Sequence, residues 1–338
     1  MKITILGLPQ AGQQQLFSLL TGIPLETIQQ KPLEPQLGIC EVKDPRVTRL
    51  IEIFKPKKQA YARIEYFLLP DFNLQGPAKE LIFNQLKNAD EICCVTRSEA
   101  DVASFISELL IFDLMLIEKR IENIDRNLRS RASEQSEKEK LFLLQLKKEL
   151  DEERLLHKYD FNEEQLKALK AYQFMTLKPI ILAVNVPESE IKDLSLSKSI
   201  EQKFGLPTVQ LCAELEQEIS GLEEKDREAF MQEMGIDESA LHKMTRLAYA
   251  GLGLISFFTV GEDEVRAWTI RRGSSAPEAG SAIHSDIEKG FVRAEMMKYD
   301  DFIAAGSEAK LKEVGKFSLK GRDYIVEDGD ILSFRFNV

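Results

Sequence analysis

Residues 7–17 read GLPQAGQQQLF, set between the apolar run ITIL (3–6) and an apolar-periodic stretch. A Gly-rich turn between a strand and a helix is where a phosphate group normally sits. Backbone N–H groups converge there, and the helix N-terminus adds its dipole. Gly7 and Gly12 have the spacing of such a loop. In a working loop a Lys follows the second Gly and carries a full positive charge to the terminal phosphates, and the adjacent Ser or Thr hydroxyl holds magnesium. Gln13, Gln14 and Gln15 stand there instead. A Gln amide donates hydrogen bonds but has no charge. A bond to a charged group contributes about 1.5–3 kcal/mol, against about 1 for a neutral pair. Phosphate binding is therefore expected to weaken by about tenfold or more. Phosphoryl transfer, which relies on charge compensation, should lose more. Taken alone, the two-Gly spacing leaves a plain strand-to-helix turn open.

The chain around this turn has 338 residues, 43% of them hydrophobic and 30% charged. That is long enough for two or three domains with cores that need no disulfide or metal staples. The four Cys (Cys40, Cys93, Cys94, Cys212) lack metal-type spacing, and His157, His242 and His284 are far apart. Buried, reduced thiols in a cytoplasmic protein are expected. MKITIL is too short for a secretory leader, and no apolar stretch has the length needed to cross a bilayer. No membrane partner is expected. A net charge of −11 argues against indiscriminate nucleic-acid binding, though it allows a local basic patch.

Residues 2–6 read as a buried strand and 13–21 as the helix after it. GICEVKD (38–44) is a strand candidate, and DPRVTRLIEIFKP reads as a helix opened by Asp44-Pro45 and closed before Pro56. ARIEYFLL (62–69), EICCVT (91–96), PIILAV (179–184) and PTVQLC (207–212) are further apolar runs of strand length. Helical patterns between them imply a largely parallel sheet covered on both faces. An insertion interrupts the alternation: Ile117, Ile121, Ile124 and Leu128 form a seam that Leu143, Leu146 and Leu150 resume after the polar stretch SRASEQSE (130–137). This predicts an antiparallel helical hairpin. From residue 251 the texture changes to short strand candidates, LISFFTV, EVRAWTI, GFVRAEMM and GDILSFRFNV, with helices expected at 276–283 and 299–313 and a turn at EDGD (327–330). A separate small α+β domain fits that pattern.

The sequence resembles the YchF subfamily of Obg-like P-loop ATPases over essentially its whole length. The residues that carry the resemblance are GLP, AG and LF within 7–17, DPRVTRLIEIFKPKK (44–58), LKP (177–179), NVPE (185–188) and DREAFMQEMGI (226–236). Its strongest part is EVRAWTIRRGSSAPEAGSAIHSDIEKGFVRAE (264–295) with DYIVEDGDILSFRFNV (323–338). The resemblance implies an α/β P-loop NTPase of the Obg-like G-domain type at 1–98 and 174–250. It implies an inserted antiparallel coiled-coil arm at 99–173 and a C-terminal TGS-type, ubiquitin-like α+β domain at 251–338. It further implies nucleotide binding, ATP favoured over GTP, and association with ribosomes or RNA, without reading of DNA sequence.

The departures from the family lie where the chemistry should be. Its Asn-Val-Gly-Lys-Ser-Thr falls on Gln10, Ala11, Gly12, Gln13, Gln14 and Gln15, keeping only Gly12. Its switch I Thr, a magnesium ligand, aligns with Pro32, and its switch II Asp-Ile-Ala-Gly with Leu68, Leu69, Pro70 and Asp71. The Gly- and Lys-rich segment after switch II is shortened to FNLQGPAKEL (72–81). Four losses that serve one ion and one phosphate make magnesium doubtful and suggest a retired hydrolytic site. The base side keeps more. Asn185, Val186 and Glu188 match the base-reading motif, where an Asn amide bonds a purine edge and Glu accepts from an adenine amino group. Cys212 and Ala213 occupy the loop that closes over the base.

The expected nucleotide residues are thus Gly7, Gln10–Gln15, Asn185, Val186, Glu188, Cys212 and Ala213, with no catalytic or metal residue. Lys31 in switch I is a candidate substitute cation, although an exposed loop lysine is the better account of it; Glu34, Asp44 and Asp71 read as solvated. Arg266, Arg271, Arg272, Lys289 and Arg293 could offer phosphates a basic face in a domain of slightly acidic balance, and Trp268 reads as core. Two functions stay open: a YchF-shaped nucleotide-binding interaction protein with weak or lost hydrolysis, and an active ATPase or GTPase with unorthodox phosphate coordination. A Rossmann-type oxidoreductase would need Gly-x-Gly-x-x-Gly spacing, which the turn lacks.

Overall fold

The computed structural model describes residues 2–72, 78–130, 133–234, 236 and 238–337. The chain forms two compact units, one from residues up to Gly38 with Glu65–Ala248, the other from Ile39–Ile64 with the residues from Tyr249 onward. Parts of the shortened segment after Asp71 (73–77), of SRASEQSE (131–132) and of DREAFMQEMGI (235) lie outside the described residues.

The first seven strands are β1 (Lys2–Gly7), β2 (Gln36–Val42), β3 (Lys58–Ala60), β4 (Ala62–Leu68), β5 (Glu91–Thr96), β6 (Ile180–Asn185) and β7 (Thr208–Leu211). All but β3 make one sheet in the order β2-β4-β1-β5-β6-β7. β1 runs parallel to β4 and β5, and β5, β6 and β7 continue in parallel. Every residue of β5 is buried. Strands covered on both faces must be apolar throughout, which is why these runs stand out in the sequence. β2, at the sheet edge, alternates instead, and there Cys40 is only half-buried, whereas Cys93, Cys94 and Cys212 are buried free thiols. The expectation of buried thiols fails at Cys40, because an edge strand has a partner on one side only.

The helix Glu99–Ser130 begins in the first unit's core, where Val102, Phe105, Ile106 and Leu109 pack with Phe72 and Phe83. Its later turns pair with the helix Glu134–Asp151. Ile117, Ile124, Leu143, Leu146 and Leu150 are buried along the seam, while Ile121 and Leu128 are partly buried. Each fully buried aliphatic side chain contributes about 1.5–3 kcal/mol. Lys140–Asp125 and Lys147–Glu118, each 2.5 Å apart, run in opposite chain directions and fix the helices as antiparallel. As partly exposed pairs they set register more than stability.

The second unit holds the remaining strands, β8 (Leu254–Thr259), β9 (Glu264–Arg271), β10 (Phe291–Lys298), β11 (Ser318–Lys320) and β12 (Asp330–Phe336), in a sheet ordered β11-β10-β12-β8-β9-β3. β8 and β12 are parallel, β8 and β9 antiparallel, and β10 is antiparallel to both β11 and β12. The three-residue β3 pairs in parallel with β9 and has no apolar run to announce it. The helix Pro45–Phe54 also belongs here, opened by Asp44, whose side chain accepts from Arg46 N–H. Its Val47 and Leu50 are buried with Phe258, Val265 and Ile331. The expected helix over 299–313 is in fact two, Tyr299–Ala305 and Glu308–Glu313, separated at Gly306, whose φ of +76° terminates the first.

Candidate functional site

Parallel strands place their carboxyl ends along one edge of a sheet, and loops from those ends meet there. Gly7 ends β1, Leu68 ends β4, Asn185 ends β6, and Cys212 follows β7. These loops bring together residues far apart in the chain.

The turn after β1 is built by its backbone. Gln10 (φ +65°) and Gly12 (φ +100°) are left-handed, and Ala11 N–H donates to Leu8 O at 3.0 Å. Gly12 then opens α1 (Gln13–Thr21) with no side chain capping it. A Cβ at Gly12 would lie 2.3 Å from Asn185 Nδ2, so the turn needs glycine for close approach as well as for φ. Asn185 closes the site from the other side. Its Nδ2 donates to Ala11 O at 3.1 Å, and its Oδ1 accepts from Ala213 N–H at 3.1 Å. The amide thereby ties the β1 turn to the loop after β7. One N–H and one lone pair remain to it. Val186, Cys212 and Ala213 are buried around this tie, and Glu188 is exposed at the start of a short 3-10 turn.

Gln13 occupies the place of the expected Lys, and it does not reach solvent. It is 3% exposed, and its Nε2 donates to Asp71 Oδ1 at 2.5 Å. Its Oε1 is buried, has no hydrogen-bond partner among the described residues, and lies 2.9 Å from where a Cβ on Gly7 would stand. Gln14 and Gln15, half-buried and exposed, complete the first turn of α1. Asp71 is held by its neighbour, as Phe72 N–H donates to Gly7 O at 2.8 Å. The sequence marked Asp71 as solvated. It is exposed, but it is also the acceptor for Gln13, a partner no local pattern reveals.

The positions that the resemblance gives to magnesium ligands carry other chemistry here. Leu68, at the switch II Asp position, is apolar and buried. The nearby Ser18 hydroxyl donates to Ile23 O at 2.7 Å. Among the described residues no cluster of three His, Cys, Asp or Glu is placed to hold a metal. At the position of the expected Lys the outer end of a triphosphate meets no free side-chain donor, since the Gln13 amide is directed at a carboxylate. Lys31 is an exposed partner of Glu34 at 2.8 Å.

The basic candidates do not form one patch. Arg266, Arg271 and Arg272 lie on or just after β9, and Lys289 and Arg293 at β10, with β8 and β12 between them. Three strand spacings separate them by about 14 Å. Trp268 is half-buried rather than core. It stacks on Phe257, donates from Nε1 to Thr259 Oγ1 at 3.0 Å, and carries the Arg266 guanidinium 4.0 Å above its ring.

Residues 254–337 match the family model YchF-GTPase_C, protein of unknown function (DUF933). Over 366 aligned residues the chain is 34% identical to the ribosome-binding ATPase YchF of Bacillus subtilis, covering 99% of this chain and 98% of that protein. It is 33% identical to the ribosome-binding ATPase YchF of Escherichia coli O157:H7, covering 100% and 99%. Among solved structures it is similar to the Schizosaccharomyces pombe YchF GTPase, with a TM-score of 0.85, 26% identity, and coverage of 99% and 97%.

Proposed function

The chain belongs to the YchF family, and from that premise we propose that it is a ribosome-associated, purine-nucleotide-binding protein in which hydrolysis is weak or lost. The observation that carries the loss of hydrolysis is the buried Gln13 amide spent on Asp71. A neutral donor already paired with a carboxylate supplies no charge to a developing phosphate. With Leu68 in place of an acid, the carboxylate beside Gln13 is that of Asp71, already its hydrogen-bond acceptor. Transition-state charge in phosphoryl transfer is met by Lys and magnesium together, and the remaining backbone N–H groups do not replace either.

Binding survives the same losses more readily. The N-terminus of α1 and the left-handed turn keep their backbone donors for an inner phosphate. Gly7, Gln10–Gln15, Asn185, Val186, Glu188, Cys212 and Ala213 form the nucleotide site in this reading. Asn185 holds the turn in shape, and the exposed Glu188 favours an adenine amino group over guanine. Ribosome association follows the relatives' names, with the helical hairpin and the C-terminal unit as the surfaces offered.

Cosedimentation with ribosomes, paired with magnesium-dependent phosphate release from ATP and GTP, tests both halves. Cosedimentation without turnover above background is expected. Robust turnover that disappears on Asn185→Ala replacement would instead favour an active enzyme with unorthodox coordination.

A further inference from the structure

Gln13 and Asp71 stand 58 residues apart in the chain and meet through a side-chain hydrogen bond. The residue after the second Gly is the one that reaches the outer phosphates. What that residue reaches here is the Asp71 carboxylate, at 2.5 Å from Gln13 Nε2. We propose that Asp71 is the specificity-determining residue of this site: its carboxylate stands in for the outer phosphate, so that the site takes a nucleoside diphosphate in preference to a triphosphate.

This rests on the nucleotide reading above and adds a direction to it. Three observations support that direction. The Gln13 side chain is buried and fixed between Gly7 and Asp71, so it is not a free arm able to turn toward a ligand. Asp71 is exposed while its partner Gln13 is buried, so of the two it is the carboxylate that is open to solvent. Phe72 N–H, bonded to Gly7 O at 2.8 Å, fixes the segment that carries Asp71 against the end of β1. An outer phosphate entering this place meets an anion instead of a cation. An inner phosphate still meets the uncapped first turn of α1. Two like charges about 4 Å apart near a protein surface repel strongly enough to change affinity by tenfold or more.

The test is calorimetry of the full chain with ADP, GDP and the imido-bridged analogues of ATP and GTP, repeated on Asp71→Asn and Asp71→Gly. Asn keeps an acceptor for Gln13 and removes the charge, and Gly restores the residue the family carries there. Melting curves establish that each variant is folded. The unsubstituted protein is expected to bind the diphosphate at least about tenfold more tightly than its triphosphate analogue, with the ratio shrinking severalfold in both variants. Equal affinities in the unsubstituted protein, or a ratio that neither substitution moves, overturn the role of Asp71 and leave nucleotide binding standing. Failure of all four nucleotides to bind any of the three proteins overturns both.

Discussion

Asp113 and Thr176 are joined by two hydrogen bonds: the Thr176 backbone N–H donates to Asp113 Oδ2 at 2.8 Å and the Thr176 hydroxyl to the same oxygen at 2.7 Å. Asp113 Oδ1 accepts from Met175 N–H at 2.9 Å, and the carboxylate is wholly buried. One side chain in the helix Glu99–Ser130 thus satisfies the segment leading into β6. Burial pushes the Asp113 pKa up to about 6, against the lowering effect of those three bonds. Because the folded value lies above the ordinary 3.8, the native state holds this proton more tightly. Its contribution to stability is fullest below about pH 4 and is lost as pH rises to about 6, on the order of 2–3 kcal/mol. Asp113→Ala leaves three buried donors unpaired and should cost about 3 kcal/mol or more at pH 7. Urea denaturation of both proteins from pH 4 to 7 checks the cost and the slope.

Glu91 makes the opposite case. It is fully buried at the start of β5, and among the described residues neither carboxyl oxygen has a hydrogen-bond partner. Burial, with a smaller push from Asp90, raises its pKa to about 9. The proton is again held more tightly when folded, so stability declines from about pH 4.5 upward until about pH 9. Glu91→Met removes the unpartnered oxygens at similar volume and should stabilise the protein by about 1–2 kcal/mol at neutral pH and more at pH 8. A thermal midpoint that falls in the variant at both values would contradict this.

Asn185→Ala breaks both bonds of the tie between the β1 turn and the loop after β7. Leaving Ala11 O and Ala213 N–H without it should cost about 1–3 kcal/mol and weaken whatever nucleotide binds. Asn185→Asp keeps the Ala213 bond but places a carboxylate oxygen against Ala11 O, so it should be no milder than Ala. Denaturation midpoints compared across the two variants read this directly.

In the second unit, Asp330 is wholly buried and accepts from Lys298 Nζ at 2.6 Å, Tyr324 OH at 2.7 Å and Glu327 N–H at 2.9 Å. Lys298→Met removes the cation and leaves the buried carboxylate with two neutral donors. Removing one partner of a buried ion pair typically costs about 3–5 kcal/mol; the half-exposed lysine places this site at the lower end. Burial and the adjacent Asp330 push the Tyr324 pKa up to about 12. Replacing Asp330 by Asn should bring it down, which a spectrophotometric phenol titration measures.

Restoring the loop alone is not expected to restore chemistry. Gln13→Lys with Gln14→Ser returns the charge and one hydroxyl, but Leu68 still offers no carboxylate and Pro32 no hydroxyl. Phosphate release with magnesium should stay at the level of the unsubstituted protein. Substantial turnover in the double variant would show that the loop was the only defect.

The strands β1, β5, β6 and β7, the helix opened by Asp44-Pro45 and the hairpin seam were legible from residue pattern, since each depends on period and burial within a short stretch. The same holds for the left-handed turn at Gly12, whose φ of +100° is a local backbone need, although its close approach to Asn185 is not. Pattern could also state what the turn had lost. It could not say where the Gln13 amide goes, because a buried amide takes whichever acceptor the fold brings to it, and Asp71 comes from another loop. Nor could it assign Ile39–Ile64, including β3, to the unit formed by the residues from Tyr249 onward. A three-residue strand carries too little periodicity to declare a partner; its place is fixed by the edge that β9 leaves open. Local chemistry wrote the elements and the missing cation, and only long-range packing decided which groups meet.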